Sequence, residues 1–352
     1  MNHMSVGIVV VGPGLIGKKH ITLIRANPNS HLIAIVAPDH VENHTIAAAQ
    51  GVPLFYTLEQ CSLAVAMDGV IVSSPNAFHY EQARWCIENR IPVLIEKPVT
   101  GNIGEAGHLV ELVRHHNAKA LVGHHRAYSP LLSAARQVIQ EGRLGRLVSV
   151  VGSAQFYKPA QYFRDGPWRT QLGGGPLLIN MIHEVGNLRT LMGEIVTVQA
   201  MASTSVRQFV VEDTVAINFG FSNGALGTFV LSDTAATPMS WEQTARENPA
   251  YPTYGDVDCY TVSGTQGSLS FPTMRLRYFN AETEASWWVP FLEEHIDVKR
   301  DDPLRRQLAH FIDLILGHAE PRVPVVDGYR NMLVTEAIRR AINSNYKVKV
   351  EE

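Results

Sequence analysis

Residues 6–17 read Val-Gly-Ile-Val-Val-Val-Gly-Pro-Gly-Leu-Ile-Gly, and no other stretch narrows the choice of folds as far. The apolar run predicts a buried strand. It breaks into Gly12-Pro13-Gly14-Leu15-Ile16-Gly17, a G-x-G-x-x-G, and a helix is expected from Lys18 to Ala26. In that strand–turn–helix context the glycines predict a dinucleotide site. Gly12 permits the tight turn, Gly14 lets the backbone approach a pyrophosphate, and Gly17 lets the helix lie close to the strand. The helix N-terminus adds free N–H groups and the positive end of a dipole. Leu15 and Ile16, inside the turn, count with the glycines as cofactor-binding.

The chain has 352 residues, more than one ordinary core organises, so two domains are expected. Hydrophobic residues make up 45% and charged residues 18%, a globular balance. A formal net charge of −3 with no basic run argues against a nucleic-acid partner. No apolar run reaches the roughly 18 residues of a membrane-spanning helix, so no membrane partner is expected. Met1-Asn2-His3-Met4-Ser5 leads straight into the first strand, which leaves no room for a signal peptide. Cys61, Cys86 and Cys259 are scattered and fit no zinc spacing. They read as buried thiols in a reducing cytoplasm, and no metal site is expected.

Along the first 125 residues, strand-like and helix-like patterns alternate. Apolar runs at Leu32–Val36, Gly69–Val72, Pro92–Ile95 and Ala120–Val122 are separated by helical periodicity, as at Tyr80–Asn89 and Gly104–Asn117. This predicts βαβ units and a doubly wound parallel sheet over 1–125. After about Gly145 the pattern changes. Leu147–Phe156, Val196–Ser205, Asp213–Phe221, Leu226–Asp233, Tyr260–Ser263 and Arg275–Phe279 follow one another with mainly turn signals between them. They predict a large, mostly antiparallel sheet with one face packed and one open, in an α/β domain over 126–352. Helices are expected at Pro176–Met192, Pro303–Leu316 and Tyr329–Asn343, the last two free to pack back onto the first domain. The segment Met239–Tyr254 reads as an irregular lid or a subunit contact.

Ligands of a doubly wound sheet bind beyond the carboxyl ends of its strands. Those ends carry Ser74-Pro75-Asn76 with His79, then Glu96-Lys97-Pro98, then His124-His125-Arg126. Lys97 is the sharpest of them: confined at a strand end, its ammonium is placed to exchange a proton with a hydroxyl or carbonyl. The strand-end position for an acidic residue that holds the adenine ribose hydroxyls is Ala37, a departure from that pattern, and Asp39 two residues later is the candidate for that role, which favours NAD while leaving NADP possible. On the helix Pro176–Met192, the residues Asn180, His183, Asn187 and Thr190 form a polar stripe that suggests a polar cavity. His183 is placed to relay a proton or hold a substrate oxygen. Trp168 and Arg169 could wall that cavity, with Lys158 and Arg164 as weaker candidates. Arg126 is a candidate fork for a substrate carboxylate.

Taken together these motifs resemble the Gfo/Idh/MocA family of nicotinamide-dependent oxidoreductases across nearly the whole chain. The glycine turn, Pro75-Asn76 with His79, Glu96-Lys97-Pro98, and Gly173-Gly174-Gly175 ahead of His183 stand in the family's order. The resemblance implies a Rossmann domain followed by an α/β domain whose open sheet serves oligomer contacts, hence a homodimer or homotetramer. It implies that Lys97 is the catalytic acid/base, with His183 beside it. One departure stands out: the family's Asp four residues before the histidine is Ile179 here.

The expected function is NAD(P)-dependent hydride transfer to or from a secondary alcohol of a sugar, cyclitol or related polyhydroxy compound. Cofactor-binding residues are then Gly12, Gly14, Leu15, Ile16, Gly17, Asp39, Ser74, Pro75, Asn76, His79, Glu96 and Lys97. Substrate-binding residues are His124, Arg126, Trp168, Asn180, His183 and Asn187. Two alternatives remain: a dehydrogenase of a carboxylated cyclic cis-diol, and a cofactor-sensing protein without catalysis on the same fold.

Overall fold

The computed structural model describes residues 5–280, 282 and 284–351. The chain divides into two units. Met1–His125 and Pro303–Met332 form the first, and Arg126–Asp302 and Leu333–Glu352 the second.

Among the described residues, the first unit holds six strands: β1 (Val6–Val11), β2 (Ser30–Val36), β3 (Leu54–Phe55), β4 (Gly69–Val72), β5 (Val93–Ile95) and β6 (Ala120–Val122). They pair in the order β3-β2-β1-β4-β5-β6, and every pairing is parallel. This is the doubly wound order, with its switch point between β1 and β4. The opening apolar run forms β1, and the four further predicted strands appear within two residues of their expected bounds. β3 went unread because a two-residue strand carries no periodicity. β1, β4, β5 and β6 are buried along their whole length, as continuous apolar runs covered on both faces must be. The helix Pro303–Leu316 belongs to this unit and buries Leu308, Phe311 and Ile312 in one core with Ile21 and Ile24 of the helix Leu15–Ala26.

The second unit holds β7 (Leu147–Gln155), β8 (Ile195–Ser203), β9 (Thr214–Phe221), β10 (Leu226–Ser232), β11 (Tyr260–Gly264), β12 (Gly267–Phe271), β13 (Arg275–Tyr278), β14 (Leu292–His295) and β15 (Val348–Lys349). Their order is β14-β13-β12-β11-β7-β10-β9-β8-β15. All pairings are antiparallel except β7 with β10. Phe229 of β10 lies opposite Gly152 of β7, where a Cβ would come within 2.4 Å of its ring. One face carries the core, including Phe229, Ile217, Tyr260, Val262 and Leu269 with Leu131, Leu188 and Ile338 from the helices. The other face is open, and Val151, Met201 and Leu226 on it are more than half exposed.

Two expectations change here. The helix expected over Pro176–Met192 opens with a π-helical turn, Leu177–Met181, before the α-helix Ile182–Met192. The wider turn gives Asn180 and His183 a different angular separation from that of a continuous α-helix. Of the segment Met239–Tyr254, Trp241, Thr244 and Ala245 are core residues, not parts of a lid. No described helix is long and apolar enough to cross a membrane.

Candidate active site

The glycine turn sits at the carboxyl end of β1. Gly12 has φ +81°, and a Cβ there would lie 2.6 Å from the backbone of Ser74. A side chain at Gly17 would meet the Gly12 carbonyl at 2.1 Å. Ser73 Oγ donates to the carbonyls of Val11 and Gly12 at 2.9 Å, tying the ends of β1 and β4 together. The turn is therefore closed on every side but one. At Gly14 a Cβ would meet nothing within 4 Å, and Gly14 and Leu15 are exposed at the start of the helix. A helix N-terminus with an open approach over a residue lacking a side chain fits a pyrophosphate. Asp39 is exposed past the end of β2, with His44 Nε2 2.7 Å from its carboxylate.

Gly14 has φ −71° and ψ −161°, which any L-residue adopts. Gly14→Val should therefore fold normally and abolish NADH binding. A fluorescence titration showing unchanged affinity would refute the placement of the pyrophosphate.

The loop after β5 carries Lys97, and its neighbours are fixed from two directions. Glu96 is 5% exposed, and His20 Nε2 donates to its Oε1 at 2.8 Å. Its Oε2 accepts from the Lys97 backbone N–H at 3.2 Å. Burial alone would raise the Glu96 carboxyl, but the His20 bond and the charges of His20, Lys97 and His125 hold it below the usual range. A Cβ on Gly123 would press into the Glu96 carboxylate at 2.8 Å, so the end of β6 must be glycine for this arrangement. On the other side, His79 places Nδ1 2.8 Å from the Pro98 carbonyl and Nε2 2.8 Å from the Ser74 carbonyl. Lys97 itself is half-buried. The β1, β4 and β5 ends thus bring the glycine turn, Ser74 and Lys97 onto one edge.

The structure gives several of the residues singled out from sequence partners of their own. Glu96 and His79, expected at the cofactor, are buried, and their polar atoms bond within the first unit. His124 is buried, and its Nε2 accepts from Asn331 Nδ2 at 3.1 Å, which makes it a packing residue of the first unit. Pro75 and Asn76 are exposed, and the Ser74 hydroxyl donates to Gln82 at 2.6 Å.

The second unit holds two polar clusters. In one, Arg126 is 2% exposed, donates from Nη1 to Glu184 at 2.5 Å and from Nη2 to Glu242, and lies over the Trp241 ring. Tyr260 donates to Glu184, and Asn187 donates to Tyr260 at 3.2 Å. Arg126 and Asn187, expected at the substrate, are therefore buried groups whose bonds close within the second unit. The carboxylate-gripping role expected of Arg126 falls with its burial. Burial also pulls the Arg126 guanidinium down, but the two carboxylates outweigh it and hold it above its ordinary value. Burial, with the charge of Glu242 and against the pull of Arg126, leaves Glu184 pushed up to about 7.

In the other cluster, Lys158 Nζ donates to Asn180 Oδ1 at 2.7 Å, lies 3.8 Å from Asp233, and faces the rings of Phe156 and Tyr162. Burial pushes its ammonium down to about 8, against the pull of Asp233 and Glu242. Arg207 binds the other oxygen of Asp233 at 2.6 Å. His183 is 7% exposed, in the first turn of the α-helix Ile182–Met192. Trp168 is 55% exposed, and Arg169 stacks between it and Tyr162. His20, Glu184, Glu242 and Asp233 were missed from sequence, because nothing local marks a charged residue whose partner lies on another element.

Comparisons with known proteins agree with this architecture. Residues 6–124 match the family model described as "Oxidoreductase family, NAD-binding Rossmann fold", and residues 132–270 match "GFO/IDH/MocA C-terminal domain". The chain is 21% identical over 349 residues to an inositol 2-dehydrogenase of Rhizobium meliloti, covering 99% of this chain and 100% of that one. It is 22% identical to scyllo-inositol 2-dehydrogenase (NAD(+)) of Bacillus subtilis, covering 100% and 98%. An Agrobacterium radiobacter oxidoreductase solved with NAD+, L-tartaric acid and magnesium shares the fold, with a TM-score of 0.81, 15% identity and 99% coverage of both chains. With both units matched in order, this chain belongs to the Gfo/Idh/MocA family of NAD-dependent oxidoreductases.

Proposed function

We propose that the protein is an NAD-dependent dehydrogenase of a secondary alcohol in a neutral sugar or cyclitol, with Lys97 as the proton carrier. The observation that carries this reading is the placement of Lys97 on the same strand edge as the Gly14 opening, on a loop fixed by Glu96 on one side and Pro98 on the other. Full-length likeness to two inositol dehydrogenases supports the substrate class. When bound, the nicotinamide supplies the acceptor for the substrate's hydride. Lys97 accepts the hydroxyl proton at Nζ as the carbinol carbon becomes a carbonyl, and returns it in the reverse direction. Gly12, Gly14, Leu15, Ile16 and Gly17 hold the phosphates, and Asp39 the ribose hydroxyls, which favours NAD over NADP.

In the second unit, His183, Asn180 and the Lys158 ammonium serve substrate hydroxyls, with Trp168 as an exposed apolar wall. The Lys158–Asn180 pair supports this reading, since it brings an ammonium and an amide together in the same unit as His183. The open face of the nine-stranded sheet is available to the expected homodimer or homotetramer. With Arg126 committed to Glu184 and Glu242, the carboxylated-diol reading loses its motive.

The test is NADH formation against a panel of sugars, cyclitols, sugar acids and cyclic cis-diols. Turnover of a neutral polyol is expected. Tight NADH binding with no turnover on any of them would replace the enzyme by a cofactor-sensing protein.

A further inference from the structure

His79 opens the helix His79–Glu88 and is 2% exposed. Its two ring nitrogens both face backbone carbonyls at 2.8 Å, Nδ1 that of Pro98 and Nε2 that of Ser74. A carbonyl oxygen only accepts, so each contact needs an N–H on the ring. A neutral imidazole has one N–H. Either neutral tautomer would leave a ring lone pair against a carbonyl lone pair at hydrogen-bond distance, away from bulk water. Leaving a buried acceptor unsatisfied carries the full desolvation penalty of that group.

We propose that His79 is held as an imidazolium, and that this buried cation is a positioning residue clamping the Lys97 loop to the loop after β4. The charged groups that act on the ring are Glu96, which favours the cation, and Lys97, which opposes it. Burial is the largest influence against the cation, with Lys97 beside it, and the bonds to the Pro98 and Ser74 carbonyls and the charge of Glu96 act in its favour. The proposal is that two well-formed bonds from opposite sides of the ring prevail over both. Bonds donated by a charged group are about twice as strong as neutral ones. The chain then carries a fixed positive charge under the edge where Ser74 and Lys97 meet. That charge repels the Lys97 ammonium and makes Lys97 a readier proton acceptor.

This inference rests on Lys97 as the proton carrier for its kinetic consequence only. The direct test is nitrogen-detected NMR of the histidine rings in the wild-type protein near neutral pH. Both His79 nitrogens are expected to carry protons. An unprotonated, pyridine-type signal from either one overturns the proposal whether or not the enzyme turns over. The second test is His79→Gln, which keeps a donor and removes the charge. In the alcohol-oxidising direction kcat/KM rises as Lys97 loses its proton, and this limb should move to higher pH by roughly half a unit or more. An unmoved limb in a folded variant would mean that the wild-type ring is neutral. Lost turnover in Lys97→Met is a separate measurement, so failure of the Lys97 assignment and failure of the His79 assignment give different results.

Discussion

Lys97→Met is expected to lower kcat by about a hundredfold or more while leaving NADH affinity nearly unchanged, the scale of a positioned acid/base. The separation of the two effects follows from how the loop is built. Glu96 is held by His20, and Pro98 accepts from His79, so the backbone frame does not depend on the Lys97 side chain. Methionine preserves the length and apolar character of the stem and removes only the ammonium. The Glu96 carboxyl loses one of the charges that hold it low, but its bond to His20 remains. Lys97→Arg sharpens the result. Arginine keeps the positive charge and cannot give up its proton in the working range. If proton transfer is the role, both variants are slow. If Lys97 only supplies charge, Lys97→Arg retains most of the activity and Lys97→Met does not. Near-normal kcat in both would make Lys97 a structural cation and remove the main support for the enzymatic reading.

The first unit was legible because its signals are local. β1, β4, β5 and β6 are buried on both faces and read as bare apolar runs, and the glycine turn carries its chemistry within six residues. Most of the antiparallel sheet was legible from alternation. β12, with its serines alternating between leucine and phenylalanine, carries a weak apolar signal, and β14, Leu-Glu-Glu-His, has one apolar residue and no alternation. The site was legible only in part. Lys97 stands out by motif and place. Arg126 and Glu242 are 116 residues apart, and His20 and Glu96 are 76 apart, so no window along the chain contains both partners. From sequence, Arg126 after a strand end reads as a ligand residue, and nothing marks Glu184 as its partner. The structure makes each the other's buried partner.

That pair gives the second large effect expected. Arg126→Met should destabilise the fold by about 3–5 kcal/mol, because it leaves Glu184 and Glu242 without the cation they share. Methionine fills much of the same space over Trp241, so lost charge and not lost volume is the main change. The pH dependence identifies the cause. Burial already pushes Glu184 up to about 7, well above its value in the unfolded chain. For an acid raised in this way the folded state binds more protons than the unfolded state, so stability falls as pH rises between the two values. Removing Arg126 takes away the influence that pulls Glu184 down, so the carboxyl rises further and the window extends upward. The variant's deficit should therefore be smallest near pH 5, where Glu184 is protonated, and grow steadily toward pH 8. Adding Glu184→Gln to Arg126→Met should recover much of the loss, since the remaining Glu242 is 26% exposed and can be hydrated. Denaturant melts of the three proteins across this range make the measurement. A ligand-binding arginine would behave otherwise: its loss would weaken substrate binding, leave the melts nearly unchanged, and show no growth with pH.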